Sequence, residues 1–282
     1  HECLRMIRLP AAQQMTTPAI TSTANRHIVE ARKLRQRKHR QEQGLFLIEG
    51  LQLLHMALDA SLPLGPVFFC PEQFTGAQAP VLIERLQSSG GQLLRVSSQV
   101  MDALSDRDGP QGIVAAFHMF RTPLTALGTT GNRMVLVLDC PQDPGNLGGL
   151  IRTADAAGAA GVVILEPSVD LFDPRTIRAS MGSLFNLPVV LTPDAPAALR
   201  HLAGQGLALI GASEHTGEPW GDTALTGPCA LVLGNEARGL SDDVIPYIAR
   251  WVSLPMPGKA ESLNVSVAGG VLMYAWLRIN IP

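Results

Sequence analysis

Three segments of the chain carry residue types suited to chemistry, and each follows an apolar run. The first is DCPQDPGNLGGLIRTADAAG (139–158), where Gly145, Gly148 and Gly149 surround a helix start and Asn146 stands at an N-cap position. Arg152 and Thr153 follow among small residues, and an arginine in such surroundings needs a partner. The second is LGNEARGLS (233–241), in which an apolar run ends at Gly234 and Asn235, Glu236 and Arg238 come next. A carboxylate there can hold Arg152 or another base in place, or can cap a helix over 241–248. The third is LPMPGKAESLNVSVAGG (254–270): prolines and Gly258 stiffen a loop that enters a helix with Ser262 as N-cap and Asn264 and Ser266 near its start. Backbone N–H groups at such a start suit carboxylate or adenosine contacts. Taken singly, the first glycines read equally as a tight strand-to-helix turn, and Ser262 as a plain cap.

These segments need a frame that brings them together. The runs MVLVLD (134–139), GVVIL (161–165), PVVL (188–191), LALIGA (207–212), CALVLG (229–234) and WVSL (251–254) are almost wholly apolar. Strands buried on both faces look like this, so they predict a parallel sheet covered by helices. Helices are expected over 147–158, 174–182, 195–204, 241–248 and 262–279. Ligands in such open sheets sit at the carboxyl ends of the strands, where the three segments lie. The fold class is α/β. Upstream, shorter strands (44–50, 67–70, 93–97, 112–119) alternate with helices (50–60, 78–89, 99–105), which predicts a smaller α/β domain over 25–119. Residues 120–132 read as a linker between it and a domain over 133–282, and 1–24 as an N-terminal segment of low order.

With 282 residues, 46% hydrophobic and 16% charged, the chain has material for two packed cores. A net charge of −2 excludes a uniformly basic nucleic-acid coat protein, though not a local basic face. Seven of the 22 basic residues fall between positions 26 and 40, against one acid, Glu30. That stretch reads as one helix. Arg32, Arg35, Arg37, Lys38 and Arg40 on it are candidates for phosphate contacts with RNA, with a solvated basic face as the plain alternative. Aromatics are only 5%, which disfavours a stacking platform for single strands. Cys3, Cys70, Cys140 and Cys229 form no CxxC pair, so no metal site and no disulfide framework is expected, and reduced thiols suit a cytoplasmic protein. No uncharged run is long and apolar enough to span a membrane.

Together the three segments resemble the SpoU branch of the SPOUT-class RNA methyltransferases, which transfer a methyl group to ribose 2′-hydroxyls. The resemblance covers 133–279 and rests on NLGGLIRTA (146–154), LVLGNEARGL (231–240) and LPMPGKAESLNVSVAGG (254–270). Residues 26–117 resemble the RNA-binding domain, akin to some ribosomal proteins, often attached in that family, through KLRQRKHRQEQGLFLIEG (33–50) and GPQGIVAAF (109–117).

The resemblance implies a trefoil-knotted catalytic domain, a homodimer, and S-adenosylmethionine held against Ala212, Ser213, Gly234, Leu254, Met256 and Leu263. It makes Arg152 the catalytic arginine. The very high pKa of a guanidinium argues for stabilising the ribose alkoxide rather than removing its proton. Asn146 is then expected to position the ribose or the arginine, Glu236 to orient Asn146, Arg152 or the loop over 254–263, and Ser262 and Asn264 to order the cofactor loop and the target nucleotide. Arg178 in RTIRASMG would touch RNA. In the last helix, Val267, Val271, Leu272 and Ala275 would form an apolar stripe, either for the dimer or for packing on the chain's own sheet. Ribosomal RNA is favoured over transfer RNA as substrate. A non-catalytic RNA-binding protein and a nucleotide-dependent oxidoreductase are the competing classes. The first glycine segment reads GNLGGL rather than GxGxxG, which weighs against the oxidoreductase.

Overall fold

The computed structural model describes residues 18–281 apart from 107, 108, 110, 129, 130, 214–216, 222 and 223. Two compact units emerge, one up to Met119 and one from Phe120.

The first unit is built on a four-stranded sheet ordered β1-β4-β2-β3, from β1 (Leu45–Glu49), β2 (Leu64–Phe69), β3 (Gln92–Arg95) and β4 (Ile113–His118). β4 pairs antiparallel with β1 and β2, and β3 adds in parallel to β2. Residues 18–24 lie within the described structure rather than in a segment of low order. Ile20 forms a bridge to Val96 beyond β3. The basic stretch is not one helix but two, α1 (Arg26–Lys33) and α2 (Arg37–Gln43). The break is built by the stretch itself. Leu34 is buried, and Arg40 turns back to donate from Nη1 to the carbonyls of Leu34 and Arg35, both at 2.8 Å. Those carbonyls end α1 and would otherwise be unsatisfied. Three more helices complete the unit: α3 (Leu51–Asp59), α4 (Gln78–Ser88) and α5 (Ser98–Leu104).

The second unit holds a seven-stranded sheet ordered β7-β6-β5-β10-β8-β11-β9, parallel throughout. Its strands are β5 (Met134–Asp139), β6 (Gly161–Leu165), β7 (Val189–Thr192), β8 (Ala208–Ala212), β9 (Glu218–Pro219), β10 (Cys229–Leu233) and β11 (Arg250–Ser253). Every residue of β5, β6 and β10 is buried, as their unbroken apolar runs require. β9 is a two-residue edge strand that no apolar run announces. The helices are α6 (Pro144–Ala156), α7 (Pro174–Ser180), α8 (Ala195–Gly204) and α9 (Val265–Asn280).

Several expectations are corrected here. α6 begins three residues early, capped by Asp143 with Pro144 in its first turn, so Asn146 lies inside the helix and is not its cap. α9 is capped by Asn264, whose Oδ1 accepts from Ser266 N–H at 2.9 Å, and not by Ser262. No α-helix spans 241–248; a single 3₁₀ turn over Ile245–Tyr247 stands there, because Pro246 has no N–H and disfavours a helical residue before it. The linker reading also changes. Phe120 meets Phe172 edge-on with ring centroids 5.1 Å apart, and Leu127 is buried in the core of the second unit.

Candidate active site

The strands of the second unit deliver the three segments to one place. The segment after β5 runs into α6, the segment after β10 is a tight loop, and the segment after β11 runs into α9. The β10 loop folds back on itself: Asn235 and Gly239 exchange two backbone hydrogen bonds of 2.9 Å. A Cβ at Gly234 would overlap the backbone of Gly239 and Leu240, so only glycine allows this closure.

The loops enclose a cavity of about 620 Å³, within the range of small-molecule and cofactor sites. Ala212, Ser213, Gly234, Leu254, Met256 and Leu263 all line it, as do Asn146, Glu236, Ser262 and Asn264. Asn235, Ile245, Trp251 and Leu272 line it too; the sequence gives the first three no site role and assigns Leu272 to the apolar stripe of the last helix. Ile245 was hidden inside the supposed helix, and Asn235 inside a stretch read for its charges. The mixture of leucine and methionine side chains with a glycine-rich backbone fits a nucleoside-type cofactor: flat apolar faces for a ring, N–H and C=O groups for its edge.

At one side of the cavity the polar side chains form a connected series. Glu236 Oε1 accepts from Asn146 Nδ2 at 3.1 Å. Asn264 Nδ2 donates to Asn146 Oδ1 at 3.0 Å. Glu236 Oε2 accepts from the Gln142 N–H at 3.4 Å. Glu236 therefore holds Asn146, one of the partners expected for it, and not Arg152.

Arg152 is exposed on α6 rather than buried among small residues, and the expected ion pair is absent. It makes no hydrogen bond or ion pair with any described residue and does not line the cavity. Six positions after Asn146, it points roughly 240° around the helix axis. Gly148, on the helix flank between them, serves a different purpose from a phosphate cradle. A Cβ there would lie 2.5 Å from Ala179 Cβ and from the Thr176 carbonyl, so the glycine lets α6 and α7 pack closely.

The apolar stripe of α9 divides. Leu272 and Ala275 are buried, while Val267 (52% exposed) and Tyr274 (49% exposed) face outward, with half-buried Val271 between them. α9 runs alongside α6: Gly149 faces Ser266, and Gly270 faces Thr153.

Among the basic candidates, Arg32, Arg37 and Lys38 are exposed. Arg40 is 1% exposed and cannot reach RNA; it is consumed by the carbonyls it caps. Arg35 is exposed but donates to the carbonyls of Ala103 and Ser105 at 3.0 and 2.8 Å. Arg178 is half-buried, and Ser180 beside it is fully buried, donating to the Ile177 carbonyl at 2.8 Å.

Residues 133–274 match the SpoU rRNA Methylase family, and residues 25–115 match the MRM3-like substrate binding domain. The chain belongs to the SpoU rRNA Methylase family. It is 34% identical to the 23S rRNA (guanosine(2553)-2'-O)-methyltransferase RlmP of Bacillus subtilis, over 90% of this chain and 97% of that one. It is 30% identical to the 23S rRNA (uridine(2479)-2'-O)-methyltransferase of Streptomyces viridochromogenes, over 97% and 95% of the two chains. An AdoMet-bound rRNA methyltransferase from Sinorhizobium meliloti superposes with a TM-score of 0.82 at 31% identity, covering 93% of this chain and 97% of that one.

Proposed function

We propose that this protein transfers a methyl group from S-adenosylmethionine to a ribose 2′-hydroxyl of ribosomal RNA. The observation that carries the reading is the juxtaposition of an apolar, glycine-walled cavity with the Glu236–Asn146–Asn264 series at its side. The two relatives named for 23S rRNA act on a guanosine and a uridine. A shared site that serves both must address the sugar, which they have in common, and not the base.

When bound, S-adenosylmethionine supplies an electrophilic methyl on a cationic sulfur, with a neutral thioether as leaving group. The protein's task is to make a hydroxyl nucleophilic that is barely ionised at neutral pH. Asn146 has one N–H committed to Glu236 and its oxygen to Asn264, which fixes the amide and leaves its second N–H for a ribose oxygen. Ser262 is exposed at the cavity wall, and its hydroxyl is available to the RNA or to the cofactor loop. Arg152 does not line the cavity of its own chain, so its electrostatic stabilisation of the developing alkoxide depends on a second subunit bringing it there, and the proton departs to an RNA phosphate or to solvent.

We place that arginine at a subunit boundary. Arg152 and the outward residues Val267 and Tyr274 belong to adjacent helices, and exposed apolar side chains of this kind mark association surfaces. A homodimer through α6 and α9 would cover them. In the first unit, Arg32, Arg37 and Lys38 offer the RNA a basic surface. A ribosomal RNA substrate favours the cytoplasm as the protein's location. The trefoil knot implied by the family resemblance belongs to the same reading.

The test is transfer of labelled methyl to unmodified ribosomal RNA. Label on a ribose, lost in Arg152→Ala, supports the reading. Absence of both cofactor binding and transfer would overturn it in favour of a non-catalytic RNA-binding protein.

A further inference from the structure

Four contacts tie the segment leading into α6 to the β10 loop. Two are the contacts of Glu236 already described. The other two involve residues given no role so far. Asn235 is 7% exposed, and both ends of its side chain are engaged: Nδ2 donates to the Cys140 carbonyl at 2.8 Å, and Oδ1 accepts from the N–H groups of Ala237 and Arg238 at 3.0 and 3.2 Å. Asp139 is 3% exposed, and its Oδ2 accepts from the Ser241 N–H at 2.6 Å. The loop over 235–241 is thus pinned at both ends to adjacent residues, Asp139 and Cys140, at the end of β5. Glu236 lies between the pins, and Asn146 lies six residues beyond Cys140 on the opposing segment.

We propose that Asn235 and Asp139 are positioning residues that clamp the β10 loop to the end of β5 and so set the reach of Glu236 to Asn146. The chemistry explains the residue types. Asn235 must donate to a carbonyl with one atom and accept two N–H groups with the other, which among small side chains only an amide does. A carboxylate at 235 would face the Cys140 carbonyl with an acceptor. Asp139 needs only to accept. This inference rests on the methyltransferase reading for its kinetic consequence, but the geometry it asserts does not require turnover.

The experiment therefore has two readouts on the full chain. The first is the side-chain amide NMR signal of Asn146, assigned by its loss in Asn146→Asp. In Asn235→Asp the clamp predicts that this signal moves toward its position in Glu236→Gln. A signal that stays at its wild-type position overturns the proposal, whether or not the protein is active. The second is turnover with unmodified ribosomal RNA. Asn235→Asp should lower kcat by about tenfold or more. In the Glu236→Gln background the same change should add less than about threefold, because both act through one contact. Full multiplication of the two effects would show that Asn235 does not act through Glu236, and overturns the proposal. Absence of transfer by the wild type would instead count against the methyltransferase reading, leaving the NMR readout to judge the clamp. If Asn235→Asp does not fold, Asp139→Ala releases the other end of the loop and must move the Asn146 signal in the same direction.

Discussion

Asn146 and Asn264 stand 118 positions apart in the chain, and Asn264 Nδ2 lies 3.0 Å from Asn146 Oδ1. With Glu236 on its nitrogen, the Asn146 amide has one orientation. Reversing it would set an oxygen against a carboxylate and a nitrogen against a nitrogen.

That constraint predicts the behaviour of substitutions in the series. Asn146→Asp should reduce kcat by about 100-fold, because it places a second carboxylate against Glu236. Asn146→Ala combined with Asn264→Ala should be little worse than Asn146→Ala alone, as expected of residues that act as a unit. Initial-rate measurements on the two single variants and the double variant decide the point; multiplicative losses would mean that the two residues act separately.

Arg152 separates catalysis from stability. It is exposed and pairs with no described residue, so Arg152→Ala should leave stability within about 0.5 kcal/mol of wild type while lowering kcat by about 100-fold or more. Arg152→Lys should recover little, since an ammonium does not reproduce the planar fork of a guanidinium. Near-normal turnover by the lysine variant would rule out a specific guanidinium role.

Two arginines of the basic stretch should behave in opposite ways. Arg40→Ala removes the donor to the buried Leu34 carbonyl and the part-buried Arg35 carbonyl, so it should cost about 1–3 kcal/mol in denaturant unfolding of the first unit. Reversing the charge of exposed Arg37 and Lys38 should leave unfolding nearly unchanged, weaken RNA binding and flatten its dependence on salt.

Cys140 supplies a pH prediction. Burial, then the neighbouring Asp139 carboxylate, pushes its thiol up from 9.0 to about 11. A raised thiol pKa means that the native state holds its proton more tightly than the unfolded chain. The stabilising contribution is therefore complete below pH 9 and is lost as pH rises from 9 towards 11. At pH 8 the thiolate fraction should be about 100-fold below that of an unperturbed cysteine. Peptide-level mass spectrometry after brief alkylation should find Cys140 modified far more slowly than a free thiol, and rapid modification would contradict the burial that shields it.

The strands of the second unit are legible in the sequence because a strand covered on both faces must be apolar at every position; β5 and β6 match their runs residue for residue. The helix starts are less legible. Ser262 and Asn264 are both good caps, and Asn146 resembles one, so residue preference does not decide among them; in the structure Asp143, followed by Pro144, caps α6 and Asn264 caps α9. The basic stretch divides where Arg40 finds two carbonyls, a tertiary event with no signature in charge spacing. The cavity-lining residues could be located by resemblance, since they contribute largely backbone and small side chains. The outward direction of Arg152 could not, because small residues beside it suggest burial whether they face a core or a neighbouring helix. Asn235 receives no role from the sequence because its neighbours Glu236 and Arg238 carry the charges.

β9 has a consequence for solubility. A parallel sheet of seven strands ends in unpaired backbone groups that can template the addition of another chain. Here the last strand is two residues long, both exposed, and one of them is Pro219. Proline offers no N–H to an incoming strand, and two residues give it almost no ladder to extend. Replacing Pro219 with a β-branched residue would lengthen the usable edge, and self-association through that edge would then compete with the native state at high concentration.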